Sequence, residues 1–234
     1  MKKDAKAYSF EDFREIIRTL RSEDGCPWDR AQTHESLRSC MIEEAYEAVS
    51  AVNQRDEANL CEELGDVLLQ VLLHSQIAEE EGSFTLDDVI QGISEKMIRR
   101  HPHVFGDKDR SDIPGWEEIK KQEHADREPA GPYDGIPEEF PALIRAQKVL
   151  KKGAELCPVL KDEKENRKRI AELAEMLEAE ESGRMEAEIL TALLLRCVNA
   201  LRLKGVHAEQ FLSDRLDEIT QEGQNTAKNL DKYM

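Results

Sequence analysis

A chain of 234 residues has room for one helical domain of ordinary size and a second, smaller unit. With 50 acidic residues against 33 Lys and Arg, its net charge of −17 excludes nucleic-acid or anionic-membrane binding through bulk electrostatics. A phosphorylated small molecule held through a metal ion stays compatible with that charge.

The five cysteines, at 26, 40, 61, 157 and 197, have no paired spacing. They read as buried or neutral thiols of a reducing cytosol, not as a disulfide framework or a zinc site. The opening MKKDAKAYSFEDF lacks the apolar core of a signal peptide, and the longest apolar runs, such as 192–195, are far too short to span a bilayer. The expectation is a soluble, cytoplasmic protein.

In chain order, Phe10, Phe13, Ile16, Ile17 and Leu20 give residues 10–22 the spacing of an amphipathic helix that stops near Gly25. CPWDRAQTHESL then reads as a loop, in which Trp28 is either an aromatic ligand contact or, the favoured reading, a packing anchor. Residues 43–66 carry two acidic clusters, Glu43-Glu44-x-x-Glu47 and Glu62-Glu63-x-x-Asp66. Leu37, Met41, Ala45, Ala48 and Val52 form an apolar arc around the first, and Leu60, Leu64, Val67 and Val71 around the second. The spacing predicts two helices joined by a turn at 53–56, the second running to about residue 81. At about 100° per residue, Glu44 and Glu47 fall at the edge of one arc and Glu63 and Asp66 at the edge of the other. Antiparallel packing of the arcs brings these four carboxylates to one seam. Two readings stay open at this point, a metal site and a solvated acidic edge, because a third match, Glu11-Asp12-x-x-Glu15, has a similar relation to its own helix.

Thr85-Leu86-Asp87-Asp88 resembles a capping box and opens a helix with the stripe Val89, Ile93 and Met97, which His101-Pro102 ends. Its last turns are basic, with Lys96 and Arg100 one turn apart beside Arg99. These cations either complement the helix dipole or serve phosphate oxygens. His101 and His103 read as ordinary hydrogen-bonding groups more than as metal ligands. Pro114 opens a short helix in which Trp116 and Lys120 offer a ring and a cation on one side, against the plainer reading of a core Trp and a surface Lys. Residues 129–141, with four prolines and two glycines, read as an extended linker. Four further helices follow, near 142–156, 163–181, 185–204 and 207–230, with stripes at Leu173, Met176 and Leu177 and at Ile189, Leu190, Leu193 and Leu194. No useful strand-like alternation occurs, so the expected fold is all-α.

The runs CPWDRAQTHESL, IEEAYEAV, ELGDVLLQVLLHSQIAEEEGSF, KMIRRHPHVFGD and WEEIKKQE, in that order over about residues 10–125, resemble the MazG family of nucleoside triphosphate pyrophosphohydrolases. The resemblance implies a homodimer or higher homo-oligomer of all-α units and Mg²⁺-dependent cleavage of an NTP to NMP and pyrophosphate, with house-cleaning of non-standard nucleotides as a physiological role. Carried over by motif, the metal ligands are Glu44, Glu47, Glu63 and Asp66. Lys96 and Arg100 then contact the phosphates, and Trp116 and Lys120 lie by the nucleotide. Glu43 points away from the seam by helical phase and takes a supporting or general-base role. Full-length members resemble two tandem copies, so residues 1–128 are expected to be the catalytic unit, 129–141 a linker and 142–234 a degenerate copy. In that copy Ile189 and Ala192 stand where acids are expected, and Glu188 alone remains.

Mg²⁺ prefers oxygen ligands, which suits a carboxylate cluster with phosphate oxygens. A di-iron carboxylate bundle needs Glu-x-x-His pairs, and none of the six histidines has an acid three residues before it. The alternative outside enzymology is a catalytically silent helical oligomerisation or regulatory protein, against which the intact first quartet argues.

Overall fold

The computed structural model describes residues 7–106, 119, 123, 131–179 and 183–223, with side chains described to 220, and contains helices and no strand among them. The fold is all-α. The chain divides into two compact units, Met1–Ala125 and Asp126–Met234.

In the first unit, α1 (Phe10–Arg21) starts at a reciprocal capping box, in which the Ser9 hydroxyl accepts from the Asp12 N–H and the Asp12 carboxylate accepts from the Ser9 N–H. The expected loop after it contains one helical turn, α2 (Pro27–Arg30), because Pro27 at its first position is already set to a helical φ. α3 (Arg38–Gln54) and α4 (Glu57–Glu80) form the central hairpin. Arg55 turns it in the left-handed region at φ 57°, and the Asp56 side chain caps α4 by accepting from the Asn59 N–H at 3.0 Å. Beyond the end of α4, Gly82 turns the chain at φ 71°, with the Ser83 N–H returned to the Ala78 carbonyl. The Thr85–Asp88 capping box then opens α5 (Leu86–Arg100), and α6 (Pro102–Phe105) follows.

The core of this unit is aliphatic: Ile17, Leu37, Leu72, Leu73, Ile77 and Leu86, with Phe13, Leu20, Cys40 and Leu69 against it. Three arginines of α1 clamp this layer from outside, Arg14 to Asp87 at 2.9 Å, Arg18 to Glu79 at 3.0 Å and Arg21 to Glu80 at 2.8 Å. Arg21 is the one worth most, since its side chain is 5% exposed and also donates to the carbonyls of Asp29 and Gln32. It ties the 26–37 stretch to α1 and α4. The helical apolar arcs are only partly used within the chain, since Leu37 and Ala51 are buried while Met41, Val52 and Leu64 stay exposed.

The 26–37 stretch is pinned a second time by stacked His34 and His74 rings, centroids 5.0 Å apart, with Nδ1 to Nδ1 at 2.7 Å. Glu81 lies 3.9 Å from His34 Nε2. Burial, then the His34 charge, pushes the His74 pKa below its ordinary 6.5. A histidine held neutral in the fold contributes stability that is complete above its unfolded pKa and is lost as pH falls from about 6.5 toward the folded value. The thermal midpoint is therefore expected to drop across that window, and His74→Gln to flatten the slope. An identical slope in the variant would count against this source.

In the second unit, residues 131–141 are not extended. They make turns, closed by the Asp134 N–H on the Gly131 carbonyl, and Tyr133 packs over Gly153. α7 (Ala142–Leu156), a 3-10 turn (Pro158–Lys161), α8 (Glu163–Ala179), α9 (Gly183–Leu203) and α10 (Ala208–Gly223) complete it. Ala154, Leu173, Ile189, Val198 and Ala208 are buried, whereas Met176, Leu190 and Leu194 of the expected stripes are exposed. Gln147 closes the turn before α10 by donating to the Val206 carbonyl and accepting from the Ala208 N–H. Asn166 and Asn199, both fully buried, form a polar knot between α8 and α9, with Asn199 Nδ2 donating to Asn166 Oδ1 at 3.0 Å.

Candidate metal centre

The α3–α4 hairpin brings the two acidic clusters face to face. One carboxylate oxygen each from Glu44, Glu63 and Asp66 lies within 4.8 Å of the others, and no other such group of three occurs among the described residues. The i,i+3 spacing of Glu63 and Asp66 puts both on one side of α4, and the hairpin turn sets Glu44 opposite. All three are half-buried. Glu47 stands beside the trio, exposed, close enough to act on both Glu44 and Glu63 by charge and hydrogen bonding. Glu43 is exposed, outside the trio, and reaches it only through its charge on Glu44.

Crowding has the expected electrostatic signature. Desolvation raises the Glu44 carboxyl above its ordinary value, and the charges of Asp66, Glu47 and Glu43 add to the rise. Desolvation raises Glu63 as well, followed by the charge and hydrogen bond of Glu47 and the charges of Asp66 and Glu44. An all-oxygen, net-negative donor set of this kind fits a hard divalent cation, whose charge removes the repulsion.

Lys96 is half-buried on α5. Arg100, one turn on, is fixed by the buried Glu123 carboxylate, which also holds Arg99. Nothing in the local pattern of WEEIKKQE marks Glu123 as the partner of residues 23 and 24 positions earlier. Trp116 and Lys120 lie outside the described residues. Trp28 is not a core anchor, being 62% exposed on α2, because the aliphatic core closes beneath Leu37 without it. The His101 Nδ1 donates to the Met97 carbonyl at 2.7 Å, as an ordinary hydrogen-bonding group. Cys61, Cys157 and Cys197 are exposed, not buried, and no cysteine is paired.

Residues 32–105, which carry the trio, Lys96 and Arg100, match the MazG nucleotide pyrophosphohydrolase domain. The chain is 42% identical to the nucleoside triphosphate pyrophosphohydrolase/pyrophosphatase MazG of Thermotoga maritima, over 87% of this chain and 79% of that protein. It belongs to the MazG family. A nucleoside triphosphate pyrophosphohydrolase of Escherichia coli is also 42% identical, over 59% of this chain and 55% of that one. The uncharacterized protein YabN of Bacillus subtilis is 55% identical over 62% of this chain, which spans only 30% of its length. The MazG domain match ends before Glu123, so the carboxylate that organises the basic end of α5 lies outside the matched stretch. No described helix is long and apolar enough to cross a membrane.

Proposed function

We propose that the first unit is a cytoplasmic, Mg²⁺-dependent nucleoside triphosphate pyrophosphohydrolase, converting NTP and water to NMP and pyrophosphate. The convergence of Glu44, Glu63 and Asp66 carries this reading. Those three, with Glu47, would hold Mg²⁺, which when bound neutralises triphosphate charge and makes a coordinated water more acidic. Lys96 and Arg100 bind the phosphates and stabilise the charge that grows on the departing pyrophosphate. Glu43 is the proposed proton acceptor or supporting carboxylate, and Trp116 and Lys120 the proposed contacts to the nucleotide. Recognition that rests on metal and phosphate is common to all NTPs, which suits a house-cleaning role on non-standard nucleotides.

The exposed Ile42, Tyr46 and Leu64 on the hairpin that carries the acids support a homodimer or higher homo-oligomer. Residues 1–128 are the proposed catalytic unit, 129–141 the connection and 142–234 a silent, degenerate copy. There Ile189 is buried and Glu188 is paired with Arg184 at 3.7 Å, so its one remaining acid has an ordinary partner. The expected result is Mg²⁺-dependent pyrophosphate release from an NTP mixture by the full chain, an oligomer by light scattering, and no release by residues 142–234 alone. A full chain inert towards every NTP with Mg²⁺ would defeat the reading. Release by the C-terminal fragment would defeat its silent half.

A further inference from the structure

Two consecutive helical residues leave the axis about 100° apart, so neighbouring arginines ordinarily serve different sides. Arg99 and Arg100 instead converge on one carboxylate. Arg99 Nε and Nη2 donate to Glu123 Oε1 at 2.9 and 2.7 Å. Arg100 Nη2 donates to Oε2 at 2.6 Å, and its Nε lies 3.2 and 3.1 Å from Oε1 and Oε2. The Glu123 side chain is 8% exposed, and Ile119, four residues earlier in the chain, is buried. One largely buried carboxylate thus accepts from two guanidiniums.

We propose that Glu123 is a positioning residue for the reaction: it fixes the fork of Arg100 for the substrate's phosphates and holds Arg99 beside it as a second cation. The inference rests on the reading of Arg100 as a phosphate contact. Guanidinium forks bind carboxylate and phosphate with the same planar geometry, so a guanidinium already locked by one edge loses little freedom when it takes a phosphate. The carboxylate between the two cations also offsets their mutual repulsion, which otherwise drives the side chains apart. The Arg100 hydrogen bond leads in holding the Glu123 carboxyl at about 2, so the anchor stays charged across the working range of pH.

The test is pyrophosphate release by the full chain from Mg²⁺ and a mixture of the four standard NTPs, with thermal midpoints measured in parallel. Glu123→Gln is expected to lower kcat/KM by about tenfold or more with the fold retained. Glu123→Asp, which keeps the charge on a shorter arm, should fall between it and the unmutated chain. Arg100→Ala should also lower kcat/KM, and adding Glu123→Gln to it should cause no further loss, because a residue that acts through Arg100 has nothing left to position. Losses that multiply in the double variant, or undiminished kcat/KM in Glu123→Gln beside a defective Arg100→Ala, overturn the inference and leave the phosphate reading standing. Full activity in Arg100→Ala overturns both. Should Glu123→Gln fail to fold, undiminished kcat/KM in Glu123→Asp overturns the proposal by itself.

Discussion

Glu63→Gln and Asp66→Asn are each expected to reduce Mg²⁺-dependent pyrophosphate release by about 100-fold or more, since loss of even an outer-shell partner of a metal ligand costs 10–100-fold. Both substitutions preserve shape, and the helix around them is set by the Asp56 cap and the buried face of Leu72, Leu73 and Ile77, so the fold should persist. The accompanying sign is informative. The Glu63 carboxyl is raised in the fold, chiefly by desolvation and then by its acidic neighbours. A raised carboxyl is penalised in full above its folded value, and the penalty fades as the pH falls from there to the lower, unfolded one. Gln carries no such penalty, so Glu63→Gln should match or exceed the unmutated thermal midpoint in metal-free buffer. The rise in midpoint caused by Mg²⁺ should shrink in the same variant, because a ligand stabilises only the state that binds it. Near-normal hydrolysis in either variant at saturating Mg²⁺, or an undiminished Mg²⁺ rise, would remove the metal assignment.

The second large effect lies in the other unit. Asn199→Leu conserves volume but removes the donor to Asn166 Oδ1 at 3.0 Å and the acceptor for Arg202 Nε at 2.9 Å. Arg202 is half-buried, its pKa lowered by that burial, and it keeps a bond to the Leu160 carbonyl at 2.7 Å. Asn166 Oδ1 keeps only a long bond from Arg196 Nη1 at 3.5 Å and the Arg202 Nε–H loses its partner, so at about 1–3 kcal/mol per under-satisfied group the variant is expected to lose about 2–4 kcal/mol. Urea unfolding followed through the second unit checks this. Asn166→Leu combined with Asn199→Leu should cost less than the two single losses together, because both sides of the bond are then apolar. A loss below about 0.5 kcal/mol in Asn199→Leu would mean that the knot contributes nothing to stability.

Helix existence, the Thr85–Asp88 capping box and the acidic hairpin were legible in the residues because each is a local signal. Thr85 and Asp88 find each other across one turn, and Glu63 and Asp66 share a helix side by spacing alone. The family resemblance depended on the same local runs, and the match over residues 32–105 bears it out. Local patterns also misled where burial was inferred from residue type. Trp28 is exposed although aromatic residues usually pack, and Leu190 and Leu194 keep a helical stripe without a cover in their own unit.

Only the tertiary structure decided which partner each long side chain takes. Arg21 reaches Glu80 across 59 residues, His34 meets His74 across 40, Asn166 meets Asn199 across 33, and Arg100 meets Glu123 across 23. A chain with 50 acids offers each arginine many equivalent carboxylates, and composition cannot choose among them. Packing chooses, because burial of Arg21 and of Glu123 makes one pairing far stronger than its solvent-exposed competitors. The sequence by itself therefore determined the helices and the acids that face the seam, since both follow from helical periodicity. The fold alone determined that Glu44 joins Glu63 and Asp66 within 4.8 Å while Glu47 stays at the edge, since that depends on how two helices turn about each other after Arg55.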